Sequence, residues 1–97
     1  MVNGTMTRDM AETIGLRALG WLAGEEELLP VFLGATGADM AELRTRAADP
    51  GFLGAVLDFL LMDDAWIVRF CDAQDLAYEV PRAARGALPG GEDRHWT

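Results

Sequence analysis

Residue types that carry enzyme chemistry are scarce in this chain. Its one cysteine is Cys71 and its one histidine is His95, too few for a Cys/His zinc site. Cys71 falls four residues after Ile67 on what reads as an apolar helix face. Asp72 beside it raises its pKa, so a buried structural cysteine is expected. A Cys71–His95 nucleophile pair needs fixed geometry, and His95 stands close to the chain's end, a poor place to hold it. There is no lysine and no serine. That removes the phosphate-loop lysine, the Schiff-base nucleophile and the Ser-His-Asp triad. No catalytic residue, cofactor-binding residue or metal site is therefore predicted.

What remains is carboxylate. Asp63 and Asp64 are adjacent, and Asp58 precedes them on the same apolar stretch. A divalent ion needs more converging oxygens than these, and no D-x-D-x-D-G loop exists. A helix N-cap followed by a first-turn acid explains Asp63 and Asp64 without a ligand. Asp58 shares one side of its helix with Gly51, Gly54 and Ala55. That small-residue strip is expected to face water, because a buried ion pair is costly. The alternative is a second helix, from this chain or a partner, packed on the strip with an arginine meeting Asp58. Gly34-Ala-Thr-Gly37 faintly resembles a phosphate-cradling loop, but no strand precedes it, and a helix stop is the reading.

The elements that position these residues are helices. Alanine and leucine dominate and β-branched residues are few. The fold class is all-α, a compact single-domain bundle of five to six short helices over 10–88. An N-terminal arm over 1–9 is expected to be disordered, and a tail over 89–97 to dock on the bundle. Asp9 and Glu12 predict a capping box for a first helix over 10–23, with Met10, Ile14, Ala18, Trp21 and Leu22 on its apolar face. Glu25, Glu26 and Glu27 predict the opening of a second helix, Pro30 falling in its first turn. Asp39 and Glu42 predict a third and most exposed helix. Asp49-Pro50 opens a fourth, over 50–62, apolar around more than half its circumference and hence central. Asp63-Asp64 caps a fifth reaching about residue 73, and a sixth over 80–88 stops at Pro89-Gly90-Gly91.

Two tryptophans extend the candidate site. Trp66 makes an aromatic i, i+4 pair with Phe70, for which core packing is the default. Trp96 follows the glycine break, and its indole is costly to leave in water. It is expected to fold back on the bundle, or else to plug into a partner. Partner-binding candidates are therefore Asp58, Asp63, Asp64, Trp66 and Trp96.

Sixteen acids against eight arginines give a formal net charge of -8. That repels a phosphate backbone, so nucleic acid is not an expected partner. The longest uncharged stretch, 28–38, contains Pro30 and two glycines, and no segment is long and apolar enough to cross a bilayer. Asp9 and Glu12 sit where a secretory leader would be apolar. With a single cysteine the chain reads as reduced and cytoplasmic.

In this order the segments resemble a family of small alphaproteobacterial proteins, number 3572 in the series of domains of unknown function. The resemblance is carried by Ala11-Glu-Thr-Ile-Gly-Leu-Arg-Ala-Leu-Gly-Trp-Leu-Ala23, Phe32-Leu-Gly-Ala-Thr-Gly37 and Ala48-Asp-Pro-Gly-Phe-Leu-Gly-Ala-Val-Leu-Asp-Phe-Leu-Leu-Met-Asp-Asp64. Arg85-Gly-Ala-Leu-Pro-Gly-Gly91 and His95-Trp96-Thr97 complete it. The family often has proline where Met40 stands and glycine where Gln74 stands, departures that blur two helix boundaries. The resemblance implies an intracellular helical domain with no assigned activity, cofactor or catalytic residue. It also implies genes lying near response regulators, and so a signalling component among the candidate partners.

Two functions follow. The favoured one is a non-catalytic acidic helical module, an adaptor or regulator that binds a protein, another or itself. The alternative is a small carboxylate-using enzyme or small-ligand-binding protein built on Asp58, Asp63 and Asp64.

Overall fold

Capping side chains set where four of the six helices start. The computed structural model describes residues 6–90 and places six helices there. The first, α1 (Arg8–Ala23), starts earlier than the sequence suggests. Thr7 is its N-cap, the hydroxyl accepting from the Met10 N–H at 3.1 Å. The Asp9–Glu12 box does not form. Glu12 is taken by Arg8, whose Nε donates to it at 3.2 Å, and Asp9 becomes a first-turn acid. A hydroxyl cap two residues upstream plus an i, i+4 ion pair extends the helix instead.

The second helix, α2 (Leu28–Thr36), starts after the three glutamates rather than on them, with Pro30 in its first turn. It stops at Gly37, whose φ of 76° lets the N–H return to Leu33. Both halves of the Asp39–Glu42 box form at the head of α3 (Met40–Arg46), at 2.9 and 3.0 Å. Only Leu43 is buried in α3, the expected exposed helix. Asp49 caps α4 (Pro50–Leu60), and Asp63 caps α5 (Asp64–Gln74) through the Ala65 N–H at 2.8 Å. The last helix, α6 (Val80–Gly86), has Pro81 in its first turn and ends short of Leu88.

Helix α4 is central. Seven of its eleven residues are buried, and it packs on α1, α5 and α6. It lies close against α1: a methyl group added at Gly15 would lie 2.9 Å from Leu53 Cβ. The buried face of α1 therefore includes Ala11 and Gly15, while Met10, expected inside, is 51% exposed. An aromatic row crosses the core. Trp66 stacks on Phe59 with centroids 4.8 Å apart, Phe59 meets Phe32 edge-on at 5.3 Å, and Phe32 meets Phe52 at 6.0 Å. Arg46 of α3 closes the row over the Phe52 ring at 4.4 Å. Arg17 of α1 grips the C-terminus of α5, donating to the Gln74 carbonyl at 2.8 Å and its side chain at 3.0 Å. No buried side-chain polar atom among the described residues lacks a partner.

Candidate functional site

The small-residue strip of α4 does not face water. Helix α6 lies along part of it, and Arg85 is the contact. Its Nε donates to Asp58 Oδ1 at 2.7 Å and its Nη1 to the Pro89 carbonyl at 2.9 Å. A methyl group at Gly54 would sit 2.6 Å from Arg85 Nη1, so glycine is what lets the guanidinium reach across α4. Gly54 is buried and Ala55 half-buried, while Gly51 remains exposed. The ion pair is affordable because it is only partly withdrawn from water: the Asp58 side chain keeps 34% of its surface and that of Arg85 keeps 12%.

Beside this pair runs an open groove of about 640 Å³ between the end of α2, the second half of α4 and α6. Ala55, Asp58 and Phe59 of α4 line it, with Leu61 and Met62 just past that helix. Arg82, Arg85 and Gly86 form the α6 side, and Ala35 and Thr36 the α2 side. The groove's polar groups are unequal. Thr36 Oγ1 donates to the Phe32 carbonyl at 2.9 Å and accepts from the Ala38 N–H at 3.3 Å. Arg82 is exposed and has no ion pair or hydrogen bond among the described residues. Met62, 73% exposed, also lines the groove.

The other candidates disperse. Asp63 is spent on the α5 cap, and Asp64 is an exposed first-turn acid outside the groove. Trp66 touches the groove only through Phe59, on which it stacks, and is half-buried. Trp96 and His95 lie outside the described residues. Cys71 is fully buried and lies within 3.5 Å of the Ala77 carbonyl, to which its thiol donates. Burial first, and then the charges of Asp72 and Glu79, push its pKa above the usual 9.0, the wrong direction for a nucleophile. Among the described residues no cluster of three His, Cys, Asp or Glu side chains could hold a metal ion. Nor is any helix there long and apolar enough to cross a membrane.

Sequence reasoning missed Arg82, and its alternative of an arginine meeting Asp58 is the one that forms, although the sequence did not say that the arginine is Arg85. The spacing of Gly54 and Asp58, one helical turn apart, was the available signal that something large and polar crosses α4 there.

These features define a class: small all-helical domains with an open, mixed groove and a core of apolar side chains. The chain matches, over residues 8–91, the family described as protein of unknown function (DUF3572), and it belongs to that family. No curated protein and no solved structure matches it.

Proposed function

We propose that the protein is a non-catalytic interaction module, working in the cytoplasm, whose α4–α6 groove receives a segment of another protein. The segment brings an apolar side chain and a carboxylate. The observation that carries this reading is that Met62 and Arg82 line the same groove, an exposed thioether and a guanidinium whose side chain has no partner among the described residues. Methionine adapts to varied apolar surfaces, and arginine pairs with carboxylates in a planar, two-bond fork. The free thiol of Cys71 suits a reducing compartment. A net charge of -8 argues against nucleic acid and anionic membranes as partners.

The carboxylate-using alternative gains no support. It needs acids that converge, and Asp58 is held by Arg85 while Asp63 caps a helix elsewhere. Affinity capture from the native cytoplasm with wild type, Arg82→Glu and Met62→Asp tests the proposal. A partner held by wild type should be lost with both variants. A partner retained by both, or duplex DNA shifted at low salt, would overturn it.

A further inference from the structure

A second face stays uncovered between α1 and α3. A hollow of about 380 Å³ lies between Leu16, Gly20 and Ala23 of α1 and Met40 and Arg44 of α3. Another, of about 390 Å³, continues from it toward the start of α1, where Asp9 and Glu12 line it. Leu16 and Ala47 border both, so the two make one furrow. It shares no lining residue with the α4–α6 groove. From Asp9 to Ala23 the helix advances about 21 Å, at ~1.5 Å per residue.

The furrow combines exposed apolar side chains with separated opposite charges. Leu16 and Met40 are large hydrophobic residues left exposed in it. At one end the exposed Asp9 carboxylate has no ion pair or hydrogen bond among the described residues. Glu12 beside it is already held by Arg8. Past Leu16, the exposed Arg44 guanidinium is equally without a partner there. Such a surface is complementary to itself turned end for end. A two-fold axis crossing α1 near Leu16 brings Asp9 of one copy to the end where Arg44 of the other stands, and the reverse. The two Leu16 side chains then meet at the axis. Most of a surface with a net charge of -8 repels a copy of itself, whereas this face pairs opposite charges.

We propose that the α1–α3 furrow receives a second copy of this chain, Arg44 of each pairing with Asp9 of the other around a Leu16 centre. The contact is independent of the α4–α6 groove and leaves its lining residues uncovered, so a dimer presents two such grooves. A furrow this short makes a contact at the low end of specific interfaces, below roughly 1,200 Å². The dimer is therefore reversible and forms as concentration rises.

Sedimentation equilibrium of the full chain from roughly 10 μM to roughly 1 mM tests it, in about 0.15 M salt, where distant repulsion is screened more than touching pairs. Wild type should pass from monomer toward dimer over that range. Arg44→Glu and Asp9→Arg each set like charges together at both pairs, and each should weaken association roughly tenfold or more. Net charge alone predicts opposite signs for the two, since one adds negative charge and the other removes it. Mixed in equal amounts, the two variants should associate with each other, because one pair is then reversed and the other native. Leu16→Glu, at an exposed position, should abolish association without disturbing the cap or the charge pairs. Circular dichroism checks that each variant keeps its helices. A wild type monomeric throughout, charge variants that change association in opposite directions or not at all, or a mixture no better than its components overturns the proposal. Association that survives Leu16→Glu does the same.

Discussion

A methyl group placed at Gly15 would come within 2.9 Å of Leu53 Cβ, whereas at Gly20, in the same helix, nothing lies within 4 Å. The same substitution should therefore have opposite signs. Gly20→Ala should stabilise the fold by ~0.5–1 kcal/mol, through the smaller entropy of the unfolded chain and better helix propensity. Gly15→Ala gains as much but must push α1 off α4 at a Cβ atom that has little room to yield. Overpacking costs of ~1–3 kcal/mol then leave it net destabilised. Urea melts of the two variants decide it, and a stabilised Gly15→Ala would mean that the helices part freely. Cys71 gives a pH-dependent counterpart. Its folded pKa is raised above 9.0, so its contribution is complete below that value and is lost as pH rises, because the unfolded thiol releases its proton first. Cys71→Ala should flatten the loss of stability above pH 9. Part of the loss should survive, since the Tyr78 hydroxyl, held at 2.7 Å by Asp72, is also raised from 10.0, chiefly by that hydrogen bond. Residue identity alone pointed to a buried Cys71 with a raised pKa, because Asp72 and the apolar spacing are local. It raised an arginine on Asp58 only as an alternative and did not single out Arg85, because that partner lies 27 positions away.

At the scale of elements, the legible signals were those written within one turn. Asp39 with Glu42, Asp49 with Pro50, and Asp63 each start a helix where the sequence puts it. The first helix was misplaced because two caps compete there, and Thr7 prevails once Arg8 engages Glu12. The cover on the α4 strip was illegible for a related reason: periodicity says which side of a helix is smooth, not which element lies on it. The central role of α4 was legible, and it carries a large consequence. Leu60 is fully buried there, so Leu60→Ala should cost about 2–5 kcal/mol. A melt within a degree or two of wild type would show that α4 is not the core. Asp39→Ala removes one cap from a short exposed helix, and a loss of only ~0.5–2 kcal/mol is expected. Chemical denaturation should rank the two variants in that order.

For the molecule as a whole, charge outweighs pairing. Sixteen acids share the chain with eight arginines, and three ion pairs form among the described residues. One of them, Arg8–Glu12, is largely exposed on one helix face and is worth a few tenths of a kcal/mol. Arg69–Glu25 is backed by the Trp21 ring under Arg69 at 5.9 Å, and Arg85–Asp58 is partly shielded, so salt weakens both less. The remaining acids repel one another across distances that salt screens well. The Debye length falls from about 30 Å at 0.01 M to about 10 Å at 0.1 M, which spans the separations in a domain of this size. Moderate sodium chloride should therefore raise the melting temperature, because it removes more repulsion than attraction. Arg82→Glu makes the net charge more negative by two and should steepen that rise. Calorimetry over this range of ionic strength checks both. A melting temperature that falls with salt would mean that the three pairs, and not the surplus acids, dominate the electrostatics of the fold.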